Sequence, residues 1–337
     1  MPRLRDLGYV IGRFAPGPLN AITDVPGVRI GHVTLTEGDR TRTGATVIVP
    51  HDGNLFQDKV PAALAVLNGF GKFAGGSQID ELGELETPVI LTNTLAVGRA
   101  VEALVAHTLA QPGNERVTSV NAVVGETNDS RLNDIRAPRP TVAEMTVALS
   151  VAVDGPVAEG CVGAGTGTVA FGLKGGIGTA SRQVGAHTLG VLVQANYGGS
   201  LRIDGAPVAN LVQHDADGSI VIVLATDAPV CDRNLRRLAT RCFGGLARTG
   251  AALSNGSGDY ALAFCTDPGL RRTPERRQGP MPVATMPNDR MSPLFEAAIE
   301  ATEEAILNAL VAATDTTGFD TATARRNQIR ALRLLPR

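Results

Sequence analysis

The chain has 337 residues, 43% hydrophobic and 19% charged, so it can bury a large core and is not disordered. Its formal net charge is −2 with both signs interleaved, which argues against nucleic acid or an anionic membrane surface as a partner. Thirty-nine glycines, 4% aromatics and no tryptophan imply many tight turns and suit a sheet-rich enzyme better than a helical bundle.

In chain order, the Pro26-Gly27 turn leads into alternating residues that read as a strand, followed by a second strand over 43–50 closed by Pro50. Residues 59–67 are apolar and helix-capable, and they run into the glycine-rich loop Asn68-Gly69-Phe70-Gly71-Lys72. A short buried strand over 88–94 precedes a helix over 97–109 with apolar residues at helical spacing. A strand over 117–125 delivers Glu126, Thr127, Asn128 and Asp129 at its end, where loops commonly carry function. The run 142–153 fits either helix or strand.

Residues 160–178 hold eight glycines. Gly167 and Gly172 have the P-loop spacing, but Leu173-Lys174 follows in place of Lys-Ser/Thr, so close backbone packing or a hydrogen-bonding nest is the better reading. A strand over 189–195 ends on Asn196. The run 219–226 is a central strand, and 230–246 a helix begun beside Pro229 and ended by Gly250. Beyond Leu253-Ser254-Asn255-Gly256-Ser257-Gly258-Asp259 come a strand over 260–266 and a Pro/Arg-rich loop over 268–287. An amphipathic helix over 293–313 follows, with Ser292 as its expected N-cap, and then a weakly patterned, solvated tail.

The stretches 233–241 and 325–333 are arginine-rich, the first read as the wet face of a helix. No apolar run approaches the roughly 18 residues of a membrane span, and residues 1–14 lack the apolar core of a signal peptide. Cys161, Cys231, Cys242 and Cys265 are far apart and read as buried free thiols of a cytoplasmic protein. His32, His51, His107, His187 and His214 form no metal-binding pair, so neither a metal nor a cofactor is expected.

The chemistry centres on 253–259. Asn-Gly between apolar residues is by itself a hairpin signal. A second reading is that the Leu253–Ser254 bond is cut by the protein itself. The serine hydroxyl is weak without a base. A chain-terminal serine carries an α-amine of pKa about 7.7–8.0, near the pH at which a general base works best. Asn196, at a strand end, could hold the developing oxyanion.

Several collinear stretches between about residues 20 and 313 resemble the DmpA/BapA-type peptidases, the L-aminopeptidase/D-amidase-esterases and β-peptidyl aminopeptidases. They include 22–32, 68–72, 125–134, 163–167, 174–179, 194–198, 225–229, 247–259 and 300–306. The resemblance implies an α+β fold, a four-layer αββα sandwich like that of DmpA and ornithine acetyltransferase. It implies a hydrolase domain of residues 1–337 that processes itself into 1–253 and 254–337 and releases N-terminal residues from short peptides, amides or esters. By the same likeness Ser254 is nucleophile and processing site with Leu253, Asn196 joins the oxyanion hole, and Glu126 binds the substrate amine. Ser292 is the match for a second serine of the small chain. Its accompanying acid stays open between Asp289 and Glu296, the nearest carboxylates, because Leu294 stands at the matching place. The resemblance further implies a homotetramer of processed protomers. An acyltransferase of the ornithine acetyltransferase type and a non-catalytic amine-binding homologue are the rival readings.

Overall fold

The computed structural model describes residues 2–208, 218–280 and 282–337, so His214 lies outside the described residues. In chain order it has β1 (Arg29–Glu37), β2 (Thr41–Val49), β3 (Val60–Gly69), α1 (Gly76–Leu82), β4 (Glu84–Leu85), β5 (Val89–Asn93), α2 (Val97–Leu109), β6 (Val123–Thr127) and α3 (Val142–Ser150). Two short strands, β7 (Val169–Ala170) and β8 (Leu173–Lys174), precede the long β9 (Gly176–Val184) and β10 (His187–Asn196). Then come β11 (Arg202–Ile203), β12 (Ala206–Pro207), β13 (Ser219–Thr226), α4 (Asp232–Arg248), β14 (Gly258–Cys265), α5 (Ser292–Val311), β15 (Thr316–Asp320) and β16 (Arg325–Ile329).

Two mixed sheets carry the fold. One has the order β4-β3-β14-β13-β10-β9 and the other β1-β2-β5-β6. Strand alternation sends successive side chains to opposite faces. On one face of the six-stranded sheet, Val191 and Val193 of β10, Ile220 and Ile222 of β13, and Ala261 and Ala263 of β14 share a core with α4 and α5. On the other face Leu192, Val221, Val223, Leu262 and Phe264 share a core with Ile48, Val89 and Leu91 of the four-stranded sheet, whose outer side carries α2 and α3. The layers are therefore helix, sheet, sheet, helix, the αββα sandwich expected from the resemblance. Strands buried on both faces read as nearly continuous apolar runs, which is why 219–226 is recognisable from sequence.

Three expectations change. Residues 59–67 are strand β3, not helix. Their Ala and Leu residues favour helix only weakly, and antiparallel pairing with β14 overrides that preference. The helix over 293–313 is α5, and it lacks the wet face of an amphipathic helix: Glu300, Glu303, Glu304 and Asn308 are all buried. Arg182 of β9 lies between Glu300 (3.1 Å) and Glu304 (2.7 Å), and Arg5 also reaches Glu304 at 2.8 Å. These partners compensate charges that would otherwise be costly to desolvate. Close approach of β9 to this helix needs Gly178, because a Cβ there would stand 2.0 Å from the Ala305 carbonyl oxygen. Finally, the tail forms the β15–β16 hairpin, with Phe319 N–H donating to the Leu132 carbonyl. Its turn lacks an Asn-Gly or Asp-Gly signature, so no local signal announces it.

Smaller differences are ones of extent. The strand expected over 117–125 is confined to β6, which includes Glu126 and Thr127, and 142–153 resolves as helix α3. All four cysteines are free, but only Cys242 and Cys265 are buried; Cys161 and Cys231 are half-buried.

Candidate functional site

Register aligns the site. Asn196, the last residue of β10, pairs with Ser219, the first of β13. Ser219 pairs in parallel with Gly258, the first of β14, and Gly258 pairs with Gly69 at the end of β3. One row across four strands thus ends the six-stranded sheet. Beside it opens a cavity of about 320 Å³ whose lining includes Phe70, Glu126, Arg131, Asn196, Ser219 and Gly256. That volume suits a small ligand held by a few convergent polar groups.

Ser254 lies in the loop between α4 and β14. The Ser257 N–H donates to the Ser254 carbonyl oxygen at 3.1 Å, closing a four-residue turn with Asn255-Gly256 at its centre. The turn expected from Asn-Gly is present, but it joins no hairpin. Helix α4 precedes it, and β14 pairs with β13 and β3. From β3, the Asn68 side-chain amide donates to the carbonyls of Ser254 (3.2 Å), Asn255 (3.1 Å) and Ser257. Upstream, the Ala252 N–H donates to the Gly198 carbonyl at 2.9 Å. Between these anchors Leu253 adopts φ +51°, a left-handed conformation that a branched aliphatic residue rarely takes. Ser254 itself is half-buried and is not among the residues lining the cavity; Gly256 of its turn is.

Asn196 is buried, and its Oδ1 accepts the Val169 N–H at 2.9 Å. That bond fixes the amide and leaves Nδ2, a donor, as the group free to serve a ligand. Glu126 is buried at the end of β6, and its Oε1 accepts the Lys72 N–H at 2.9 Å, with the Lys72 ammonium at 3.3 Å. Lys72 can approach this closely because Gly71 has φ +128° and a Cβ there would stand 2.8 Å from Oε1. The carboxylate charge also acts on Tyr260, whose phenol is pushed up by burial first, then by Glu126 and Asp259. A buried carboxylate, an oriented amide donor and Gly256 of the serine-bearing turn therefore line one cavity, which places an anion and a hydrogen-bond donor within reach of a small ligand.

Ser292 is placed elsewhere. It begins α5, is exposed and does not line the cavity. Arg237 and Arg241 of α4 cover the Phe295 ring, while Arg248 at the end of α4 reaches Glu303. The two helices run side by side in one direction, so Ser292 lies roughly 16 Å of helix rise below the level at which the Ser254 loop leaves α4. The helix cap at this end is Met291, without a side-chain cap bond. Leu294 is buried and Glu296 is paired with Arg13. His32 is half-buried, is held near pKa 4 by burial and bonds Thr46 at 2.9 Å, which keeps it a neutral, hydrogen-bonded group. The sequence assigns no role to Asn68, Lys72 or Asp259; their only signal is membership of motif stretches, with no cue to what each touches.

The family model for peptidase family S58 matches residues 20–324. The chain is 40% identical to a β-peptidyl aminopeptidase, BapA, of Sphingosinicella microcystinivorans, over 96% of this chain and 89% of that protein. Among solved structures it resembles a β-aminopeptidase of a Burkholderia species, with TM-score 0.90 and 44% identity, covering 98% of this chain and 96% of the other. It also resembles the L-aminopeptidase D-Ala-esterase/amidase of Ochrobactrum anthropi, described as a variant of the Ntn hydrolase fold, with TM-score 0.87 and 36% identity over 99% and 96% of the two chains.

Proposed function

The chain belongs to peptidase family S58 and is a hydrolase of the aminopeptidase/amidase type, and from that premise we propose that Ser254 is its nucleophile, released by cleavage of the Leu253–Ser254 bond. The observation that carries this reading is the Ser254 turn itself. It is clamped by Asn68, preceded by left-handed Leu253 and set at the sheet end that holds Asn196.

In processing, the Ser254 hydroxyl loses its proton and attacks the Leu253 carbonyl carbon. The C–N bond breaks, the departing nitrogen takes a proton, and an ester joins Leu253 to the Ser254 Oγ. Water hydrolyses that ester, leaving a carboxylate at 253 and a free α-amine at 254. In turnover the α-amine takes the hydroxyl proton as Oγ attacks the substrate carbonyl. Asn196 Nδ2 donates to the oxyanion, the leaving amine departs with the proton, and water releases the acyl group. Glu126 binds the substrate's free amine through a charge-assisted bond. Ser292 has no place in these steps, since it starts α5 at the far end of the helical layer.

The substrates of this reading are short peptides, amides or esters with small N-terminal residues. The size of the cavity and its glycine-bearing walls support that class. A homotetramer of processed protomers and a cytoplasmic location complete the reading. Exposed Val66, Leu67 and Phe70 supply apolar surface for assembly, and the free cysteines suit a reducing compartment. No helix among the described residues is long and apolar enough to cross a membrane. Neither acyl transfer to an amino acid nor non-catalytic amine binding is favoured by any feature of the cavity.

Intact-mass measurement tests the reading. The expected result is loss of the 34.9 kDa species in favour of two fragments ending and starting at 253 and 254. Ser254→Ala should leave a single chain without activity toward an aminoacyl anilide. An active, uncleaved wild-type chain would overturn it.

A further inference from the structure

Asp259, on the strand that follows the Ser254 turn, is a buried carboxylate that neither processing nor turnover uses. It is the second residue of β14 and 1% exposed. Its Oδ1 accepts the Ser257 hydroxyl at 2.7 Å, while Oδ2 is buried with no hydrogen-bond partner among the described residues. Ser257 in turn donates its backbone N–H to the Ser254 carbonyl at 3.1 Å. The carboxylate is thus one side-chain relay from the backbone of the residue that cleavage would turn into a chain terminus. Leaving a buried carboxylate oxygen unpaired is costly, and such groups normally find a partner.

Among the described residues no cation acts on Asp259, although Lys72 and Arg131 line the nearby cavity. Tyr197, at the end of β10, and Tyr260, on Asp259's own strand, are the titratable groups that sense its charge, and Glu126 adds further negative charge at Tyr260. From β3 the facing residue is the neutral Asn68, and from β13 Ser219 bonds the neighbouring Gly258 N–H. The cation at the end of α4, Arg248, is engaged with Glu303. Burial raises the Asp259 pKa and only the Ser257 hydroxyl opposes it. An uncut chain therefore has a half-satisfied acid linked through Ser257 to the Ser254 turn. Cutting the bond before Ser254 adds one positive charge on a short, newly free terminus in that same place.

We propose that Asp259 is the positioning residue for the Ser254 α-amine: its unpartnered oxygen receives the new α-ammonium after cleavage and, with Ser257, holds the amine against the serine hydroxyl it must deprotonate. This rests on the reading of Ser254 as a processed nucleophile. Pairing with a carboxylate favours the charged amine, and burial disfavours it. Asp259 keeps the amine near its ordinary pKa of about 7.7–8.0 in a site that would otherwise depress it.

The test compares wild type, Asp259→Asn, Asp259→Glu and Ser257→Ala. Intact mass first reports cleavage at 253/254. Failure of the wild type to cleave overturns the underlying reading, and it is separate from any outcome of the titrations. In cleaved protein, the pH dependence of reductive methylation at Ser254 titrates the amine directly, and the acid limb of kcat/KM titrates it kinetically. Asp259→Asn should move both down by about one pH unit. Asp259→Glu should restore them in part, and Ser257→Ala should move them less. If Asp259→Asn does not cleave, the wild-type amine decides alone: titration near 8 supports the pairing, and titration well below 7 overturns it. Unchanged limbs in Asp259→Asn, with only kcat or thermal stability lowered, would reduce Asp259 to a structural role and overturn the proposal.

Discussion

Asn68 and Ser254 are 186 residues apart in sequence, yet the Asn68 amide donates to the Ser254 carbonyl oxygen at 3.2 Å. The same amide reaches the Asn255 carbonyl at 3.1 Å, and that of Ser257, so one side chain of β3 holds the whole turn. Asn68→Ala removes all three contacts. A net hydrogen bond contributes about 1 kcal/mol, so self-cleavage should slow by about tenfold or more. A time course of intact mass after expression checks this, and an unchanged rate would separate the clamp from the chemistry.

Leu253 holds φ +51° directly before the proposed scissile bond. A strained backbone residue of this kind stores on the order of 1–3 kcal/mol. Glycine adopts the same conformation without the steric penalty. Leu253→Gly should therefore slow cleavage relative to wild type, because the ground state is relaxed while the attacking serine is untouched. Faster cleavage would mean that Leu253 obstructs the reaction.

Asn196 and Glu126 should fail in different ways. Loss of one oxyanion donor costs about 10²–10³ in kcat, so Asn196→Ala should lower kcat with little change in KM. Glu126→Gln removes a charge-assisted contact to the substrate amine, worth about 1.5–3 kcal/mol, and should act mainly through KM. N-acetylation of the substrate should abolish the difference between wild type and Glu126→Gln. Steady-state kinetics on an aminoacyl anilide, in processed protein, separates the two outcomes.

Asp129 follows the Glu126 strand end, is fully buried and bonds Asn133 at 3.0 Å; burial pushes its pKa up to about 7. An unfolded aspartate titrates near 3.9. Between those values the folded state keeps a proton that the unfolded state has lost. Its contribution is complete below about pH 4 and falls as pH rises toward 7, by at most about 1.4 kcal/mol per unit. Asp129→Asn removes this loss, so its stability relative to wild type should improve from pH 4 to pH 7 in urea melts. A constant difference across that range would contradict the assignment.

Much of the frame is legible in the sequence because it is encoded locally. The apolar run 219–226 and the helical spacing at 97–109 appear as β13 and α2 with those same bounds. The strand ends at 126 and 196 are also legible, since polar residues follow apolar runs there. Residues 59–67 are ambiguous because alanine and leucine suit both helix and a strand covered on two faces, and only pairing with β14 decides between them. The hairpin over 316–329 escapes a local reading because its stability comes from contacts with 132, not from its turn.

The sequence by itself determined which groups were available: a serine before Asn-Gly, an amide and a carboxylate after two buried strands, and an acid two residues beyond Ser257. Chain periodicity and turn chemistry act over a few residues, and they carried those assignments. Which groups meet was decided only in three dimensions. The row Asn196–Ser219–Gly258–Gly69 is set by strand register, Asn68 reaches its turn through the pairing of β3 with β14, and Ser292 is held away by the parallel packing of α4 on α5. Those contacts span tens to hundreds of residues, and no local propensity specifies them.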